Sequence, residues 1–154
     1  MQKLIIRGSI VEDAWLPPDP DSPTPGEGRI LTLDQWLALA DKSGSGVQLE
    51  PGQAPAPLLP FVDEIELVAV NFPVFTDGRG FSYARELRER GYRGELRATG
   101  HFLRDQLTYL RRCGFDAFQM KEETDLAAAL ERLHDFSEYY QASIDQPLPL
   151  FRRR

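Results

Sequence analysis

The stretch NFPVFTDGRGFSYARELRERGYRGELRATGH, residues 71–101, decides the fold. It opens at the end of a near-continuous apolar run, EIELVAVNFP at 64–73. That run has strand length and no polar alternation, the pattern of a strand covered on both faces. FSYARELRERG at 81–91 then spaces Tyr83 and Leu87 for one helix face, and Gly91 suits a terminating left-handed position. GELRATG at 94–100 gives a second short strand. Strand, helix and strand in so short a span require a crossover, and crossovers join parallel strands.

The same unit repeats downstream. FLRDQLTYLRRCG at 102–114 reads as a helix with Leu103, Leu107 and Leu110 on one side, and FDAFQM at 115–120 as a third strand. TDLAAALERLHDFSEYYQ at 124–141 is a third helix, capped by Thr124 and buried through Leu126, Leu130 and Leu133. Three strand–helix units of similar length predict an α/β fold, a small three-layer type with a parallel sheet, and are too few for a closed barrel.

Upstream the pattern is less regular. KLIIRGSIV at 3–11 reads as a strand interrupted at Gly8, and DAWLPPDPDSPTPGEGR at 13–29 as a surface loop rich in proline and acid. LTLDQWLALADKSGSG at 31–46 carries a helix start signal: Thr32 caps, Gln35 reaches back, and Leu31 can pack on Trp36. Leu33, Trp36, Leu37 and Ala40 form its expected buried stripe, with Gly44 at its end. LEPGQAPAPLLP at 49–60 reads as a second connector. The chain is thus expected to be one domain: an extension over 1–60, an α/β core over 61–142 and a tail over 143–154.

Length and composition agree with one soluble domain: 154 residues, 42% hydrophobic and 27% charged. No run of about eighteen apolar residues could span a bilayer, and MQKLIIRGSIVEDAW lacks a leader's long apolar stretch, so a cytoplasmic location is expected. The net charge of −6 hides an asymmetry. Residues 67–121 carry 10 Lys and Arg against 6 Asp and Glu, whereas 1–66 carry 4 against 11. A positive middle in an acidic chain points to an anion or an acidic partner surface rather than to nucleic acid.

Open parallel sheets hold ligands beyond the carboxyl ends of their strands. The loops selected by that rule hold Asn71, Phe75, Thr76, Asp77, Gly78, Arg79 and Gly80; then Thr99, Gly100 and His101; then Gln119, Met120 and Lys121. TDGRG at 76–80 reads either as a solvent-facing turn or as an anion loop, with Gly78 and Gly80 turning N–H groups inward and Arg79 or Lys121 supplying charge. Thr76, Gly78, Arg79, Gly80, Thr99, Gly100 and Lys121 are the anion-binding candidates, and Asp77 and His101 the candidates for moving protons. Neither a dinucleotide fingerprint nor G-x-x-x-x-G-K-[ST] occurs, because position 83 is Tyr83 rather than glycine.

Cys113 follows Leu110 on the buried stripe and reads as a core thiol, and as the single cysteine it excludes an internal disulfide. His134 reads as a helix-edge residue. Two histidines and scattered acidic pairs, Asp63/Glu64 and Glu122/Glu123, give poor means for a metal centre, so neither metal nor cofactor is expected. Arginines 85, 88, 90, 93 and 97 read as a solvated helix face able to meet an acidic protein, with Arg85 and Arg88 as partner-binding candidates. The tail QPLPLFRRR at 146–154 reads either as a frayed end or as a docking peptide. In the second case Leu148, Leu150 and Phe151 fill apolar pockets, and Arg152, Arg153 and Arg154 pair with acids.

NFPVFTDGRGFSYARELRERGYRGELRATGHFLRDQLTYLRRCGFDAF, residues 71–118, closely resembles a bacterial family known as domain of unknown function 934. The resemblance spans roughly Ile30 to the PLFRRR ending and includes the Trp36 helix, FTDGRGFS and ATGHFLRDQ. It implies a role in assimilatory sulfur metabolism, with a sulfite reductase or its electron donor as partner, and it carries no established catalytic residues. The oxidoreductase label it also implies sits poorly on this chain. Sulfite reduction needs haem-type and iron–sulfur chemistry, and one cysteine with two histidines cannot hold it. A non-catalytic accessory is therefore the expected role. The alternatives are a small α/β enzyme or sensor binding sulfite, sulfate or phosphate at TDGRG, and a literal flavin or nicotinamide oxidoreductase.

Overall fold

The computed structural model describes residues 3–21, 28–74, 78–102, 104–120 and 126–135. It confirms the α/β class and widens the sheet. The strands are β1 Lys3–Ile6, β2 Ser9–Glu12, β3 Ile30–Thr32, β4 Gly46–Leu49, β5 Leu67–Phe72, β6 Glu95–Gly100 and β7 Ala117–Met120, in the order β2-β1-β7-β6-β5-β4-β3. From β3 to β7 all neighbours are parallel, whereas β1 lies antiparallel to both β7 and β2. The N-terminal extension therefore supplies both ends of the sheet.

Three strands, β2, β3 and β4, appear where the sequence reads otherwise. Residues 3–11 form a hairpin rather than one interrupted strand, because Arg7 and Gly8 both take positive φ, 48° and 83°, in a two-residue turn. Such a turn matches the right-handed strand twist, and its usual Asn or Asp is replaced here by arginine, which hides the signal. SGVQLE yields β4, where Val47 and Leu49 are buried and alternate with half-buried Gln48. Four residues of period two before a proline-rich connector make a weak strand signal.

The helices are α1 Leu33–Leu37, α2 Arg79–Glu89, α3 Leu107–Cys113 and α4 Leu126–Asp135, with 3-10 turns at Ala56–Phe61 and Arg104–Gln106. The capping box at α1 forms as expected: Gln35 N–H donates to Thr32 Oγ1 (3.2 Å) and Thr32 N–H to Gln35 Oε1 (3.1 Å). The helix is shorter than expected, and Leu37 (49% exposed) and Ala40 lie outside the core. Lys42 accounts for that. Its Nζ donates to the carbonyls of Trp36, Leu37 and Leu39 and stands 4.7 Å from the Trp36 ring, satisfying helix-end oxygens that further turns would have used. Gly91 (φ 98°) ends α2 as expected, with Tyr92 N–H reaching back to the Leu87 carbonyl, and Gly114 ends α3 the same way through Phe115.

One apolar cluster joins all four helices to one face of the sheet: Trp36, Ala84, Leu87, Leu107, Leu110, Cys113, Ala129 and Leu133 pack with Val47, Val68, Val70, Phe72, Leu96, Ala98 and Phe118. Strands added in sequential order by crossovers of one hand leave their helices on one side. The other face is covered by a strap, the segment following β2, whose Trp15 packs on Ile30, Leu67 and Ala69. A side chain at Gly46 would meet the Trp15 ring at 2.7 Å, so glycine lets the strap lie flat. The third layer is thus a proline-rich loop.

Candidate functional site

The helix-free face resolves into polar rungs, because parallel register aligns side chains strand by strand. The lowest joins Gly46, Leu67 and Glu95; the next Gln48, Ala69, Arg97 and Ala117. The highest, at the carboxyl ends, aligns Asn71, Thr99 and Gln119 and is extended to β4's end by Glu50. On this face the strap meets Gly46, Leu67, Ala69 and Arg97, and farther along Gln35 Nε2 donates to the Asp19 carbonyl (2.7 Å).

Arg97 is the keystone of the middle rung and is fully buried, which corrects its reading as part of a solvated helix face. It projects from a strand into the strap, where Nη1 donates to Asp13 (3.0 Å) and Gln119 Oε1 (3.1 Å) and Nε to Glu95 (2.8 Å). Its Nη2 also lies 2.8 Å from Glu95 Oε2, close enough for an ion pair but not directed for a hydrogen bond. Burial holds the Glu95 carboxyl above the usual carboxylate range, with Arg97 pulling the other way.

On the highest rung each oxygen of Glu50 accepts one amide hydrogen bond: Oε1 from Asn71 Nδ2 and Oε2 from Gln48 Nε2, both at 2.7 Å. With its nitrogen turned to Glu50, Asn71 aims Oδ1 at β6, where a side chain on Gly100 would approach it to 2.6 Å. Gly100 has φ 104°, and that added carbon would also stand 2.5 Å from the Phe72 carbonyl, so this position needs glycine. His101 follows, exposed. Its main-chain N–H donates to the Phe72 carbonyl (2.6 Å), and its Nδ1 lies 2.8 Å from the Pro73 carbonyl. A carbonyl only accepts, so Nδ1 is the donor of this contact.

Beside this rung Gly78 caps α2 with φ −87°, an ordinary right-handed value, and Gly80 is buried where a side chain would meet Phe72 and Val70 within 2.8 Å. Gly80 therefore serves the close approach of α2 to β5. Arg79 is exposed in the first helical turn, and a side chain at Gly52 would come within 3.6 Å of its guanidinium. Gly52 N–H in turn donates to the Tyr83 hydroxyl at 2.9 Å. Thr76, Asp77, Lys121, Leu150, Phe151, Arg152 and Arg153 lie outside the described residues.

The two arginines expected to meet a partner separate. Arg88 is structural: it donates to the carbonyls of Gly114, Tyr92 and Gly94 at 2.9–3.0 Å and pairs with Asp116, at the amino ends of the strands. That corrects its reading as a partner residue. Arg85 is exposed on α2, with Nη2 3.9 Å from Cys113 Sγ. Near it Tyr109, 50% exposed, meets Phe81 edge to face at 4.9 Å. Cys113 is fully buried as expected, and burial pushes its thiol up.

The sequence names Asn71, Thr99 and Gln119 as strand-end residues but not Glu50, which reads as connector, or Gln48, which falls between the elements read. The alternation Val47, Gln48, Leu49, Glu50 is the signal that places both on one strand face. Among the described residues no group of three or more His, Cys, Asp or Glu side chains could hold a metal, and no helix is long and apolar enough to cross a membrane.

Comparison with curated proteins gives no match. A family model, described as a bacterial protein of unknown function, matches residues 46–151, from the first residue of β4 through every strand-end loop of the site. On that match the chain belongs to the bacterial family DUF934.

Proposed function

We propose that this protein is an accessory of assimilatory sulfite reduction, binding a sulfite reductase or its electron donor rather than carrying the redox chemistry. The observation that supports it best is the surface patch on α2 and α3, where Arg85 is exposed beside Tyr109 and Tyr109 meets Phe81 edge to face. Arginine and tyrosine dominate the energetics of protein interfaces, and an exposed guanidinium selects an acidic partner surface. The burial of Cys113, the chain's one thiol, is consistent with a role outside the electron path. The oxyanion alternative draws less from the geometry, since Gly80 packs against Phe72 and Gly78 has an ordinary backbone.

The test is co-purification of the full chain with the assimilatory sulfite reductase of its own host, and separately with that enzyme's electron donor. A salt-sensitive complex is expected, weakened about tenfold or more by Arg85→Glu and by Tyr109→Ala. The reading fails if neither protein associates and a strain lacking the chain grows normally on sulfate and sulfite.

A further inference from the structure

We infer that the outer edge of β2 is a docking site for this chain's own tail segment QPLPLF, residues 146–151. The two edges of the sheet differ. Beyond β3 the strap closes the edge: Leu16 N–H donates to the Gly28 carbonyl (2.6 Å), and the Leu16 carbonyl accepts from Ile30 N–H (2.9 Å). Beyond β2 no strand follows among the described residues. Ile6 and Ser9 flank the two-residue turn and exchange both hydrogen bonds, and pairs alternate from there, so Ile10 and Glu12 turn N–H and C=O outward. Ile10 is also 39% exposed, although its cross-strand partner Ile5 lies in the helix-side core. An uncovered edge with an apolar side chain is a template for another strand.

Topology brings the tail to this edge. α2 and α3 each carry the chain one strand in the same direction across the same face, from β5 to β6 and from β6 to β7. α4 goes on in that direction and packs over β1 and β2. The next free position lies beyond β2, reached by a crossover of the same hand. Arg111 Nη1 donates to the Leu133 carbonyl (3.2 Å), so α4 ends beside the end of α3, at the amino end of the parallel strands, where β2 begins. Even with α4 continued to its expected end at 141, residues 142–146 reach about 17 Å. Packed layers lie only about 10 Å apart.

The segment is composed for pairing on one side. Successive N–H groups of a strand point to opposite edges, and Pro147 and Pro149 have none. Leu148 and Leu150 therefore offer N–H and C=O to β2, while the prolines leave the outer side without donors, one of the ways in which proteins blunt an edge. Parallel pairing along β2 sets Leu148 and Leu150 on the face of Val11, and Pro149 and Phe151 on that of exposed Ile10. The arginines that follow come level with exposed Glu12 and the acidic N-terminal extension. The family match runs through Phe151, which makes the segment part of the family's domain. The edge lies apart from Arg85 and Tyr109, so the inference stands independently of the accessory reading.

The test follows hydrogen exchange at the backbone amides of Ile10 and Glu12 in the labelled full-length chain. Protection of about tenfold or more over a solvent-exposed amide is expected. Leu148→Pro, which removes a donor from the inner side of the segment, should abolish it. Pro147→Ala, which adds a donor on the outer side alone, should leave it unchanged. Unprotected amides in the parent chain, protection that survives Leu148→Pro, or an equal loss in Pro147→Ala overturns the inference. Protection that rises with protein concentration also overturns it and assigns the edge to a second copy of the chain.

Discussion

The two ends of the parallel sheet use polar side chains in opposite ways. At the amino-terminal end Arg88 gathers the carbonyls of Gly114, Tyr92 and Gly94, Asp116 accepts from Leu96 N–H and pairs with Arg7 and Arg88, and the Tyr92 hydroxyl donates to the Glu95 carbonyl. These bonds join loop to loop and close that end. At the carboxyl end Glu50, Asn71 and Gln48 bond side chain to side chain across the sheet. One end ties loop to loop, the other ties side chain to side chain on the face away from the helices. Because the strands run in sequential order, the structure offers no reversal of strand order between β3 and β7, and the candidate site is a face beside the strap rather than a crevice between crossovers.

The sharpest way to break this comparison is to remove an arginine from the structural side of it. Arg97→Met leaves the carboxylates of Asp13 and Glu95 without their buried partner, and should cost about 3–5 kcal/mol of unfolding free energy in urea titration. A loss below about 1 kcal/mol would mean that the strap is not held through this residue. Arg88→Met strands three carbonyls and Asp116 at the closed end and should cost about 2–3 kcal/mol, read in the same way.

Proton linkage gives a smaller effect. Burial raises the folded-state pKa of Glu95 above its unfolded value, so its contribution is fully present below the ordinary carboxylate range and is lost as pH rises through the raised value. Stability should therefore fall across that weakly acid window in the parent chain, and the fall should shrink in Glu95→Gln. The smallest effect is expected on the open rung. Glu50→Gln should change stability by less than about 0.5 kcal/mol, since its amide neighbours remain and the site is half-exposed. If Glu50→Gln instead rivals Arg88→Met, the carboxyl end is structural too and the contrast between the ends collapses.

Much of this architecture is legible along the chain, where the determinants are local. Thr32 and Gln35 sit three residues apart and form the capping box; Gly91 ends α2; the runs at 67–72, 95–100 and 117–120 become strands. The rest depends on residues that are distant in sequence. Arg97 reads as one arginine of a charged series, yet its partner Asp13 lies 84 residues away. Arg88 has the spacing of a solvated face, but its carbonyl partners at Tyr92, Gly94 and Gly114 are gathered only when α3 ends beside α2. The anion-loop reading of TDGRG loses Gly80 to packing for a similar reason, since helix-to-strand distance is set in space.

By itself the sequence determined the alternation of strand and helix from β5 to β7, the capping box at Thr32, the glycine end of α2 and the buried thiol, because these follow from periodicity and local backbone preference. Tertiary structure alone decided which arginines are internal, which face carries helices and which strap, and that Glu50, Asn71 and Thr99 stand side by side. Strand register, a property of hydrogen bonding between segments, sets those neighbours, and no local pattern encodes it.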